Sequence, residues 1–79
     1  MAELQTTLHD IAAAIVDSPD EVKVIREEDD TTITLTLTVA PDDMGMVIGR
    51  HGRIAKAIRT VIKAASAECG KRVNVEIGD

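Results

Sequence analysis

Eight consecutive residues of this chain alternate without a fault: Thr32, Thr34, Thr36 and Thr38 stand between Ile33, Leu35, Leu37 and Val39. Successive side chains of a strand point to opposite faces, so this segment predicts a strand with one aliphatic face and one threonine face. The threonine face is polar and β-branched, which suits a solvated sheet surface. The aliphatic face needs a cover. The chain has no Phe, Tyr or Trp, so that cover has to come from Ile, Val, Leu and Ala. Its 79 residues allow a single domain, residues 1–79, and a chain this short buries only about 60–65% of the surface its unfolded form exposes.

Two helical patterns supply the cover. Leu4, Leu8, Ile11 and Ile15 recur at helical spacing, and with Ala12, Ala13 and Ala14 beside them they predict a helix over about residues 2–17. Pro19 ends it, because the residue before a proline is steered away from helical angles. Further on, Ile54, Ile58, Val61, Ile62 and Ala65 fall in one stripe of a second, longer helix. Arg53, Lys56, Arg59 and Lys63 fall on its other side, with Ala57 and Ala64 along one margin. Gly70 is the expected left-handed stop of that helix.

The remaining elements are shorter. Val22, Val24 and Ile25 sit among charges over residues 21–28, a weaker strand signal. Glu28-Asp29-Asp30 reads as a hairpin tip, so this strand is expected to pair antiparallel with the threonine strand. Pro41-Asp42-Asp43 opens a short helix reaching about Ile48, with an Asp expected to cap its first amides. Val73, Val75 and Ile77 alternate with Asn74 and Glu76 as a last strand. The order is helix, strand, strand, short helix, glycine turn, long helix, strand.

The charge is divided along the chain. Residues 1–43 carry eleven Asp/Glu against two Lys/Arg, whereas residues 44–79 carry seven Lys/Arg against three Asp/Glu. Between Met44 and Ala67 there is no acidic residue, and Arg50, Arg53, Lys56, Arg59 and Lys63 supply five positive charges. The overall charge of −5 therefore says little about polyanion binding, because at physiological salt a charge is felt over only about 8 Å. No stretch approaches the roughly 18 apolar residues of a membrane span, and the N-terminus shows no basic secretory leader. A soluble, cytoplasmic protein is expected. The lone Cys69 excludes an internal disulfide and a cysteine-rich zinc module. No second His or Cys stands at ligand spacing from His9, so neither a metal nor another cofactor is expected. No nucleophile, base and orienting group converge, and no enzyme is expected.

Gly49-Arg50-His51-Gly52 joins the two C-terminal helices. Glycines at this spacing permit left-handed angles and close approach of another backbone. The turn's amides, with the N-terminus of the next helix, make a weakly positive phosphate site. A dinucleotide fingerprint would need Gly where Val47 stands, and a P-loop would need a Gly-Lys-Ser/Thr tripeptide that the chain lacks. A GxxG alone is a weak signal, since helix–helix turns produce it by chance. Here Val47-Ile48 precede it, Ile54 follows it and a basic helix continues from it.

Val47-Ile48-Gly49-Arg50-His51-Gly52-Arg53-Ile54 resembles the VIGxxG hallmark of KH domains. The order αββααβ is similar to the type II KH arrangement, an α+β fold with a three-stranded mixed sheet packed on one face by three helices. The resemblance spans the whole chain, and a free-standing domain of this size looks like the bacterial KhpA family. It implies single-stranded RNA, or single-stranded DNA, as the ligand, with the GxxG clamping about four nucleotides. Gly49, Arg50, His51 and Gly52 would hold phosphates. Val47, Ile48 and Ile54 would line an aliphatic groove, Arg53 and Lys56 would add charge, and backbone groups near Leu37–Val39 in the middle strand would read base edges. It also implies a role as an RNA chaperone or regulator, and pairing with itself or with a larger KH-containing partner. Many members carry Lys where His51 stands, so binding is expected to strengthen as pH falls toward about 6, where a free imidazole gains its charge. Without aromatics the affinity should be modest, because base–aromatic stacking is worth about 1–3 kcal/mol per base.

A dimerising interaction module is the competing reading. A small aromatic-free domain gains from covering surface by association, and Ala57, Val61 and Ala64 offer a margin where another helix approaches closely. Arg59 and Lys63 are expected to be solvated helix surface, and Met44 and Met46 to be groove rim or core filler.

Overall fold

The computed structural model describes residues 4–67 and 69–78. Helix α1 runs Leu4–Ile15, strand β1 Lys23–Glu28 and strand β2 Thr32–Thr38. Helix α2 (Met44–Ile48), helix α3 (Arg53–Ala65) and strand β3 (Arg72–Gly78) follow, with single 3-10 turns at Pro19–Glu21, Pro41–Asp43 and Arg50–Gly52. The predicted α1 extended to about residues 2 and 17; residues 2 and 3 lie outside the described residues, and the helix ends two residues early.

The sheet order is β1-β2-β3, with β1 antiparallel and β3 parallel to β2. This is the αββααβ order that the sequence predicts and the mixed sheet that the resemblance implies. The alternation in β2 does what its spacing dictates. Ile33, Leu35 and Leu37 are buried under the helices, while Thr32, Thr34, Thr36 and Thr38 are half-exposed on the opposite face. The hairpin tip is built by Asp29, whose carboxylate accepts the N–H groups of Thr31 and Thr32 at 2.9 and 2.7 Å. Those two bonds hold its carboxyl below the ordinary range. Beside it, Glu28 is held low by Lys71 and then Arg26, so one ion-pair cluster ties the tip to the start of β3.

The core joins Leu4, Leu8 and Ala12 of α1 to Leu35, Leu37 and Val75 of the sheet and to Val47, Ile58 and Ile62. Three expectations shift. In α1 the innermost line is Leu4, Leu8 and Ala12, with Ile11 half-buried and Ile15, the last residue of the helix, exposed. In α3 the buried stripe is Ala55, Ile58 and Ile62, leaving Ile54, Val61 and Ala65 exposed. Gly70 has φ +78° but does not end α3. The helix stops at Ala65, where Ser66 donates its N–H to the Ile62 carbonyl and its hydroxyl to the Lys63 carbonyl.

Asp43 also behaves differently from the predicted cap. Its side chain bonds none of the α2 amides. It is 2% exposed and accepts the Ser18 N–H on Oδ2 at 3.0 Å. The carboxylate thus fastens the loop after α1 to the segment that launches α2. A buried acceptor needs such a partner, because stranding it would cost about 1–3 kcal/mol.

Candidate functional site

The turn between α2 and α3 is tight and left-handed. Gly49, His51 and Gly52 have φ of +75°, +58° and +74°. The N–H groups of Gly49, Gly52 and Arg53 bond to the carbonyls of Gly45, Gly49 and Arg50, closing the turn on itself. The amides of Arg50 and His51 stand at its head. His51 is the one non-glycine residue with positive φ among the described residues, a conformation that costs an L-residue about 1–2 kcal/mol. Such strain concentrates where a backbone is shaped for function.

The two glycines answer different demands. A Cβ on Gly49 would lie 2.3 Å from Ile54 Cγ1 and 2.9 Å from the Ile54 backbone nitrogen. Gly49 is therefore needed for close approach as well as for its angle. A Cβ on Gly52 would meet nothing within 4 Å, so Gly52 is needed for its angle alone.

Around this turn the predicted site residues divide. Arg50, His51, Arg53 and Lys56 are exposed. Ile48 and Ile54 are each 38% exposed and present apolar surface on either side of the turn, with Met46 exposed to the same degree. Met44 is half-buried against the core. Val47 is fully buried and cannot line a groove; it anchors α2 to the core, because an α2 of five residues turns one side fully inward.

Two flanks leave the turn along α3. At about 100° per residue, Lys56, Arg59 and Lys63 lie on one side of the buried stripe, and Ile54, Ala57, Val61 and Ala64 on the other. The basic flank faces β3. Arg59, expected to be solvated surface, donates from Nε to the Val75 carbonyl at 3.2 Å. Farther along, Lys63, Ser66, Arg72 and Asn74 line a shallow depression with Lys71. The opposite flank is apolar, and Val61 is 49% exposed. The 3–4 spacing of Lys56, Arg59 and Lys63 was visible in the sequence; the proximity of β3 was not.

The strand expected to read bases is corrected. β2 is central and bonded on both sides, so its backbone near Leu37 is committed to the sheet. The edge strands are β1 and β3, and β3 is the one beside the basic flank of α3. The Arg72 N–H reaches Thr31 at the start of β2, and backbone groups alternate sides along a strand. Those of Val73, Val75 and Ile77 therefore point away from β2, beside the basic flank of α3.

Residues 5–77 match the family model for the KH domain of KhpA/KhpB. The chain belongs to this KH-domain family. Among its relatives, the RNA-binding protein KhpA of Clostridium acetobutylicum is 57% identical over 94% of this chain and 99% of its own length. The KhpA of Caldanaerobacter subterraneus is 53% identical over 98% and 99% of the two chains, and that of Bacillus subtilis 47% identical over 96% and 94%. In three dimensions the chain is similar to part of Aquifex aeolicus Era, in the crystal structure of a tyrosine-to-alanine variant bound to GDP.AlF4-, with a TM-score of 0.69 and 16% identity. That likeness covers 94% of this chain and 29% of the Era chain and concerns the fold alone. Among the described residues no group of three His, Cys, Asp or Glu gathers as metal ligands would, and no helix is long and apolar enough to cross a membrane. His9 makes a surface contact of 3.3 Å with Asp10.

Proposed function

We propose that this chain binds single-stranded RNA, gripping about four nucleotides at the Gly49–Gly52 turn, and acts as an RNA chaperone or post-transcriptional regulator rather than as an enzyme. The observation that carries the reading is a closed left-handed turn, with Arg50 and His51 at its exposed head, opening onto an acid-free basic helix flank. Kinship with proteins named RNA-binding protein KhpA supports it. Phosphates approach the exposed Arg50 and His51 and their amides, where the N-terminus of α3 adds a favourable dipole. Arg53 and Lys56 continue the positive field. Ile48 and Ile54 supply apolar contact for bases, and DNA single strands are the competing ligand. A cytoplasmic setting fits this role.

The test is fluorescence-polarisation titration of short single-stranded RNA at two salt concentrations. Two to three neutralised phosphates predict a log–log salt slope of about −1.4 to −2.1. Replacing both Arg50 and His51 with Asp is expected to abolish saturable binding while circular dichroism stays unchanged. Unchanged affinity in that variant would remove the turn from the interface.

A second reading rests on Val61, half-exposed between the exposed Ala57 and Ala64. Small residues on either side let another helix approach, so this margin suits a homodimer or a heterodimer with a larger KH-containing protein. In its extreme form the chain is a dimerising scaffold that touches RNA weakly or only with its partner. Val61→Asp should then give a folded monomer by light scattering; an unchanged mass would exclude the margin as the dimer contact.

A further inference from the structure

β3 is one margin of the sheet, and its outward backbone groups, at Val73, Val75 and Ile77, run beside the α3 flank that carries Lys56, Arg59 and Lys63. An edge of this kind ordinarily offers alternating N–H donors and carbonyl acceptors. In the middle of it, Arg59 has changed the pattern. Its Nε donates to the Val75 carbonyl, so the acceptor is occupied and the group that now stands there is a guanidinium. Arginine has five N–H donors in a planar fork. With Nε committed, the four on its two terminal nitrogens remain, and among the described residues no carboxylate pairs with them.

That exchange of acceptor for donor has a consequence for any base lying against the edge. A bare carbonyl complements an exocyclic amino group, such as N6 of adenine or N4 of cytosine. A guanidinium complements paired acceptors, and guanine presents O6 and N7 at the spacing of the fork, whereas adenine places an amino donor beside its N7. Arg59 is also held at a fixed height along the strand by its bond, so its donors are positioned before a ligand arrives, which lowers the ordering cost of binding.

Resting on the RNA-binding reading above, we infer that Arg59 is a specificity-determining residue: by capping the Val75 carbonyl it converts the β3 edge from reading amino groups to reading acceptors, and gives guanine preference over adenine at one position of the bound strand. Lys56 and Lys63, on the same flank, contribute charge without that geometry, because an ammonium is a point charge and not a fork.

The experiment is a polarisation titration of oligouridylate hexamers carrying a single G, A or C at each internal position. It is run on the wild type, Arg59→Lys and Arg59→Met, each checked for fold by circular dichroism. In the wild type, G at one position should bind at least about fivefold tighter than A at that position, the lower end of what a bidentate base contact discriminates. Arg59→Lys should keep the salt slope and reduce the discrimination below about twofold. Arg59→Met should lose the discrimination, favour A or C through the freed carbonyl, and flatten the slope by about 0.7. Wild-type binding without a G/A difference, or a difference that survives in Arg59→Lys, overturns the inference while leaving RNA binding intact. Failure of the wild type to bind any hexamer overturns the RNA-binding reading, and the base preference falls with it.

Discussion

The two flanks of α3 belong to one helix, share one buried stripe and diverge from one turn, yet they offer opposite chemistry. Lys56, Arg59 and Lys63 form a charged border to the open edge of β3, and Arg59 is bonded to that strand. Ile54, Ala57, Val61 and Ala64 form an exposed margin without a charge. One helix thereby carries a basic surface and an uncharged, largely apolar one separated by roughly half a turn. In a chain of 79 residues that economy matters, because few elements exist on which separate sites could be built. It also means that substitutions one residue apart, such as Lys56 and Ala57, should have unrelated phenotypes.

The largest effects are expected at the turn where the flanks diverge. Gly49→Ala forces a Cβ against Ile54 at a left-handed angle and should destabilise the fold by about 2–4 kcal/mol in chemical denaturation. Gly52→Ala has open space around its Cβ and should lose only about 1–2 kcal/mol. Equal losses would mean that the Ile54 contact is not what fixes the turn. A smaller effect sharpens the contrast between the flanks themselves. Reversing Lys56 and Lys63 together to Glu should weaken single-stranded RNA binding about 10- to 100-fold and leave the mass by light scattering unchanged. Val61→Asp should do the converse, changing the mass while RNA affinity stays within about twofold. If either pair of measurements moves together, the flanks are not independent.

The smallest effect lies far from both flanks, at the hairpin tip. Glu28 and Asp29 have carboxyls lowered in the folded state, by Lys71 and Arg26 in the first case and by the Thr31 and Thr32 amides in the second. A lowered folded value means the added stability is present above the ordinary carboxylate range near pH 4 and is lost as pH falls through the folded values. Thermal melts between about pH 5 and 2 should therefore fall less steeply for Glu28→Gln/Asp29→Asn than for the wild type. Both groups are exposed, so the difference should be modest, and parallel curves would show that the tip contributes no acid sensitivity.

Periodicity exposed the elements because it is a local property. The faultless alternation of β2, the proline breaks and the GxxG turn were each readable within a dozen residues. The partners that give those elements their meaning were not. Asp43 looked like a helix cap because the sequence around it is capping sequence; its bond goes instead to Ser18, 25 positions away. Arg59 is exposed, as its place on the helix implies, but its bond was not legible, because the Val75 carbonyl is 16 positions distant and is a backbone atom with no signature of its own. Val47 and Ile48 are adjacent aliphatics, and only the packing of α2 decides that Val47 is buried while Ile48 stays half-open. The family resemblance implied that the middle strand reads bases, but that strand is bonded on both sides, and of the two edge strands it is the less conspicuous β3 that lies beside the basic flank.

The reading to be tested is that RNA lies along the turn with Ile54, the basic flank and the β3 edge, and leaves Ala57, Val61 and Ala64 alone. The direct measurement is a titration of single-stranded RNA into isotopically labelled protein, followed by amide chemical shifts. Saturable shifts are expected at Gly49–Lys56, Arg59 and Val73–Ile77, with Ala57, Val61 and Ala64 changing least along α3. Shifts concentrated on Ala57, Val61 and Ala64, or on the threonine face of the sheet, would contradict it.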